Sequence, residues 1–191
     1  SSKWHWFDVV ADWNWQGHEN RSLRVSVYSS CEEAELFLNS KPLGKRKTDR
    51  SSRFTATWDV PYQTGELKAI GYRAGKQVGS AVLKTAQEVS QITVTADRDR
   101  IKADGQDLSY VTVELRDASG TRNPKAENLL AFEIEEPATI AGVGNSNPAS
   151  VESYQRPERK TWQGRGLVIV KSGNQPGDIR PERVDEQAGE P

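Results

Sequence analysis

Apolar and polar residues alternate with period two along most of the chain, the mark of strands with one buried face. Leu23, Val25 and Val27 alternate with Arg24, Ser26 and Tyr28, and Phe54, Ala56 and Trp58 alternate with Thr55, Thr57 and Asp59. Leu67, Ala69 and Gly71 share a face opposite Ile70 and Tyr72, and a further strand runs from Val78 to Leu83. The same period returns in Ile92-Val94-Ala96, Val111-Val113-Leu115 and Leu130-Phe132-Ile134. Leu167 to Val170 is an unbroken apolar run, which predicts a strand buried on both faces. Turn formers punctuate these runs at Asn39 to Pro42, Pro61 to Gly65, Ala118 to Gly120 and Gly142 to Pro148, and Asp104-Gly105 reads as a hairpin turn. One stretch competes. Glu32, Glu33, Ala34 and Glu35 favour helix by propensity, but the turn at Asn39 to Pro42 makes better sense of a strand through Leu36 and Leu38.

Short strands and turns at regular spacing predict an all-β chain of β-sandwiches. The alternation stops and restarts between Ala86 and Ser90, so two sandwiches are expected, residues 1–86 and 87–191. That boundary is the expected site of proteolytic cutting. From Asn174 to Pro191 periodicity gives way to Gly, Pro and charge, which predicts a poorly ordered C-terminal tail.

Composition narrows the chemistry. Lys plus Arg is 26 and Asp plus Glu is 27, a net charge of −1. That balance lacks the basic footprint of a nucleic-acid binder and gives no reason to expect a membrane surface as partner. No apolar stretch is long enough for a transmembrane helix, and no basic-then-apolar leader is visible at Ser1-Ser2. Cys31 is the single cysteine, which excludes an internal disulfide and a Cys-based zinc site. Only His5 and His18 could serve as imidazole groups. A mean hydropathy of −0.76 suits thin sandwiches with small cores.

Candidate chemistry is correspondingly sparse. Glu32-Glu33-Glu35 and Glu133-Glu135-Glu136 could supply a glycosidase-type carboxylate pair, but charged residues in such runs belong mostly to wet strand faces. Asp97, Asp99, Asp104 and Asp107 offer hard oxygen ligands, yet their spacing is not that of a calcium loop. Gly142-Val143-Gly144 resembles a phosphate cradle but lacks the following Lys and helix. No Gly-x-Ser-x-Gly turn is present for a nucleophile. Neither a catalytic residue nor a metal site nor a cofactor is expected. The aromatic cluster remains: Trp4, Trp6, Trp13 and Trp15 fall in pairs two apart, near His18. Stacked on sugar rings these residues would form a carbohydrate-binding platform; buried, they would fill a core or a domain interface.

The stretch Val27-Tyr28-Ser29-Ser30-Cys31, continuing through Glu35-Leu36-Phe37-Leu38-Asn39-Ser40-Lys41-Pro42-Leu43-Gly44, resembles the C-terminal accessory domains of β-galactosidase-like enzymes of glycoside hydrolase family 2. Trp13-Asn14-Trp15, Trp58-Asp59-Val60-Pro61-Tyr62, Ala103 to Ser109 and Ile140 to Asn145 resemble the same family in order. Ser40 stands where the family hairpin usually has Gly, and Arg180 to Pro191 departs from its apolar closing strand. The resemblance implies two tandem immunoglobulin-like β-sandwiches in a periplasmic or secreted bacterial enzyme. It further implies that the catalytic glutamates sit on a (β/α)₈ barrel upstream. A barrel needs about 250 residues of alternating strands and helices, which this chain does not contain. The expected role is therefore a non-catalytic fragment that supports the barrel or its substrate entrance, with that barrel as partner. Two other roles stay open: an independent carbohydrate-binding module using the Trp cluster, with glycan as partner, and a surface stalk of immunoglobulin-like repeats.

Overall fold

A computed structural model describes residues 9–179 and the backbone of residues 181–186. It is all-β, with no α-helix among the described residues, and divides into two compact units, Ser1–Thr85 and Ala86–Pro191.

The first unit holds β1 (Ser22–Tyr28), β2 (Glu33–Leu38), β3 (Lys41–Lys47), β4 (Thr55–Pro61), β5 (Glu66–Arg73) and β6 (Lys76–Lys84). One antiparallel sheet has the order β3-β2-β5-β6, and β1 pairs with β4 in a second. The core between them takes Ala34, Leu36 and Leu38 from β2, Leu67 from β5, and Ala56, Trp58 and Val60 from β4. Each fully buried large side chain contributes about 1.5–3 kcal/mol, so the alternation of β2 overrides the helix propensity of its glutamates. The β2–β3 connection is the two-residue turn Asn39-Ser40, with φ of 49° and 66°. Two left-handed residues give the twist a hairpin needs, and Ser40 adopts without help a conformation that glycine would enter freely.

Phe54 departs from the expected pattern. A single 3₁₀ turn at Arg50–Ser52, capped by Asp49, is followed by Arg53 and Phe54 at φ of 54° and 58°. The chain reverses there, so β4 begins only at Thr55 and Phe54 is left exposed instead of joining Ala56 and Trp58.

The second unit holds β7 (Gln91–Ala96), β8 (Leu108–Arg116), β9 (Leu129–Ile134), β10 (Ala138–Gly144), β11 (Glu158–Lys160), β12 (Arg165–Ser172) and β13 (Pro181–Glu186). Its sheets have the orders β10-β12-β8-β7 and β11-β9-β13. Val113, Leu115, Leu130, Phe132, Val143 and Val168 lie at the centre of its core.

Four expectations are corrected in this unit. The run Leu167 to Val170 is not buried on both faces: Val168 and Val170 are buried while Leu167 and Ile169 are half-exposed, because only one face of the sheet is covered. Gly142 to Gly144 belongs to β10 rather than to a turn. A register shift falls between Ile140 and Gly142, and the backbone of Tyr154 lies 3.4 Å from where a Cβ of Gly142 would stand. Asp104-Gly105 is no hairpin turn, since residues 97–107 form one long connection between β7 and β8 and the Gly105 N–H donates to the Gly173 carbonyl. Finally, the tail expected to be poorly ordered from Asn174 contains β13, paired with β9 from Ile134 to Leu130. A ladder needs only backbone groups, so a charged segment with one valine can still pair; residues 187–191 lie outside the described residues.

The boundary is not slack. Ala86 is buried, Val89 packs on the core, and the N–H groups of Gln87 and Ser90 donate to Asp117 and to the Arg116 carbonyl.

Candidate functional site

The Trp-bearing segment precedes β1 and is held by its polar groups. Trp13 is 2% exposed, meets Tyr62 edge-on at 5.2 Å, and donates its indole N–H to the Gln63 carbonyl at 3.0 Å. Thr85 Oγ1 donates to the Trp13 carbonyl at 2.7 Å, and Asn14 Nδ2 lies 2.5 Å from Asp12 Oδ1 and 3.4 Å from the Lys84 carbonyl. Farther along, Asn20 donates to the Tyr62 carbonyl and Tyr62 to the Arg21 carbonyl. A Trp that is buried against another ring and bonds a backbone carbonyl with its indole N–H behaves as a core residue, so Trp13 belongs to the fold of the first unit.

Trp15 is placed differently. It is 36% exposed, and His18 stands edge-on to it at 6.3 Å. The His18 N–H donates to the Trp15 carbonyl across a turn in which Gly17 has φ of 86°. Among the described residues this leaves one half-open indole with an imidazole beside it, not a row of parallel rings. Trp4 and Trp6 lie outside the described residues.

Several aspartates are engaged in holding turns. Asp97 accepts from the Tyr110 N–H and from Ser109, Asp104 from the N–H groups of Gln106 and Asp107, and Asp107 from the Lys102 N–H. These bonds favour the charged form and hold all three below the usual carboxylate range. No cluster of three metal-ligating side chains occurs among the described residues. The strongest case is Asp117, 1% exposed, whose carboxyl is lowered to about 2 first by the Gln87 N–H and then by bonds from Ser119 and Thr121.

Glu114, which the sequence reading did not single out, gathers three guanidinium groups. Arg165 Nε lies at 2.7 Å and Arg122 Nε at 3.8 Å, with Arg116 bonded to the other oxygen. Burial opposes its ionisation, but Arg165 and Arg116 outweigh that and keep its carboxyl below the usual range. A carboxylate so paired is a poor proton donor near neutrality. Arg116 lies two residues along β8, Arg122 in the connection that follows it, and Arg165 opposite Glu114 on β12, the one partner that only the sheet register brings in.

Comparison with known proteins gives this geometry a context. Residues 92–182 match the family model described as glycoside hydrolase family 2 C-terminal domain 5, and residues 20–79 match a domain of unknown function. A β-galactosidase of Bacteroides ovatus is 36% identical over 168 residues, 88% of this chain and 20% of that protein. A solved glycosyl hydrolase family 2 member from Bacteroides cellulosilyticus is 47% identical with a TM-score of 0.86, covering 94% of this chain and 26% of that one. A β-glycosidase from Bacteroides vulgatus is 25% identical with a TM-score of 0.81, over 92% of this chain and 24% of that one. The chain thus spans about a fifth to a quarter of the length of these relatives.

Proposed function

The chain belongs to the C-terminal domains of glycoside hydrolase family 2, and on that premise we propose that it is the non-catalytic, immunoglobulin-like accessory part of a β-galactosidase-like hydrolase. Its role is to support the catalytic barrel or to shape the barrel's substrate entrance. The observation that carries this reading is how its carboxylates are used. Asp97, Asp104, Asp107 and Asp117 cap turns and Glu114 is locked among arginines. Glycoside hydrolysis instead needs one acid kept protonated near neutrality and a second carboxylate about 5–10 Å away across a sugar.

The test is direct. The isolated chain should leave aryl β-galactosides unhydrolysed above background. Turnover that survives purification and disappears on replacing one Asp or Glu would overturn the accessory role. Among the described residues the glycan-binding alternative rests on Trp15 with His18, since Trp13 serves the core. Saturable quenching of Trp fluorescence by a galactoside or polysaccharide, lost in Trp15→Ala with the fold intact, would replace the supporting role by that one.

A further inference from the structure

The sheet β10-β12-β8-β7 carries a polar cluster on its outer face, at the end where β12 begins. Register brings its members together. Thr93 on β7, Glu114 on β8 and Arg165 on β12 stand side by side. Trp162 faces Arg165 across the turn Gln163-Gly164, and Arg116 faces Arg122 across the connection that follows β8. Cross-strand partners project from one face of a sheet, with Cβ atoms about 5 Å apart. An indole and three guanidinium groups therefore border one patch. Arg122 closes it by donating to the carbonyl of Gln163, the residue next to Trp162.

The patch holds little negative charge for its cations. Glu114 is the one carboxylate within ion-pair reach of Arg116 and Arg165 among the described residues. Counting those two alone, cation already exceeds anion. Arg116 also stands directly opposite Arg122, and like charges so placed destabilise a sheet. A pairing kept only for stability needs one arginine beside Glu114, and a half-exposed ion pair adds little to stability in any case.

Hydrogen-bond donors are in surplus too. The Arg165 side chain is half-exposed and bonds Glu114 through Nε, with no other partner among the described residues. Nε of Arg116 is buried and bonds nothing among them. A guanidinium has several donors and no acceptor, so only an added acceptor group can use those left over. Beside them Trp162 is half-buried, with part of its indole open at the border of the patch.

We propose that this patch binds an acidic sugar residue, a pyranose ring against Trp162 with its carboxylate or sulfate group held by Arg165 and Arg116. The planar guanidinium fork meets such an anion with paired N–H bonds, and an aromatic side chain offers the apolar surface that a sugar ring covers. A neutral sugar would use the indole and leave the surplus charge unmatched; an acidic peptide would use the arginines and leave the indole bare. An acidic sugar meets both. The choice of a sugar rests on reading the chain as part of a glycan-cleaving enzyme, but the site is separate from Trp15 and takes no part in cleavage.

The test uses the full chain and three probes: methyl β-galactoside, its 6-sulfate, and the methyl glycoside of galacturonic acid. In an NMR titration at least one acidic probe should shift the Trp162 indole and Arg165 Nε–H resonances saturably, binding about tenfold or more tighter than the neutral sugar. The tighter of the two acidic probes tells carboxylate from sulfate. Arg165→Gln should weaken that binding about tenfold, and Trp15→Ala should leave it unchanged. If Arg165→Gln does not fold, the shifts in the unaltered chain decide. Equal binding of neutral and acidic sugars, or acetate, sulfate or a triaspartate peptide binding as tightly, would overturn the proposal. So would loss of binding in Trp15→Ala, or no saturable shift of those two resonances. Hydrolysis is not read here, so the accessory role stands or falls by its own test.

Discussion

Asp117 shows how one side chain can organise a boundary. One oxygen accepts from Gln87, and the other from the Ser119 and Thr121 N–H groups and the Ser119 hydroxyl. With its folded-state pKa lowered to about 2 from 3.8, the carboxyl binds fewer protons in the folded chain than in the unfolded one. The stabilisation is complete above the unfolded value and is lost as pH falls through the folded one. Urea unfolding of the second unit should therefore weaken between pH 4 and pH 2. Asp117→Asn should lower stability at pH 7 by about 1–3 kcal/mol, because a buried N–H would lose its acceptor, and should flatten that part of the pH profile. An unchanged profile would show that the bonds do not hold. Asp117 is visible in the sequence only as one more acid before Ala118 to Gly120; its burial depends on a contact with a residue thirty positions earlier.

At the scale of elements, alternation was a sound guide wherever one face of a strand is buried. β1, β2, β4, β5, β8 and β9 can be read from their apolar positions alone. Three of the edge strands escaped notice. β3 is Lys-rich with only Leu43 half-buried, β11 is three polar or charged residues, and β13 is mostly charged. Their pairing depends on backbone groups that every residue has, so pattern carries no signal for them. The segment from Ala86 to Ser90 begins at the division between the two units and has no period, yet hydrogen bonds and the burial of Ala86 tie it down. Limited proteolysis should accordingly spare it. The long connection between β10 and β11, where Val151 is 99% exposed and Tyr154 largely so, should be cut first. Sequencing the first fragments checks this, and primary cleavage between Ala86 and Ser90 would contradict it.

For the whole molecule, the family was legible in runs that combine core residues with turn chemistry, such as Glu35 to Gly44 and Ala103 to Ser109. The candidate site was less so. Trp13 and Trp15 are two residues apart and alike on paper, but one closes a core against Tyr62 and the other stays half-open beside His18. Which of them is inside follows from the Gln63 and Thr85 bonds, and those partners lie fifty and seventy-two positions away.

Those bonds have a topological corollary. Trp13 and Asn14 lie ahead of the strands of the first unit and Lys84 and Thr85 close them, and they touch. A chain whose ends meet can be rejoined there and reopened elsewhere, a rearrangement that compact domains with adjacent termini tolerate. The tight turn Ala74-Gly75 between β5 and β6, with φ of 49° and 75°, lies at the surface and is a natural place for the new ends. A circular permutant that starts at Gly75, with a short glycine linker from Thr85 to Trp13, should fold with the near-ultraviolet signature of its buried indoles intact. Loss of that signature would mean that the order of synthesis, and not the clasp, is what brings the two ends together.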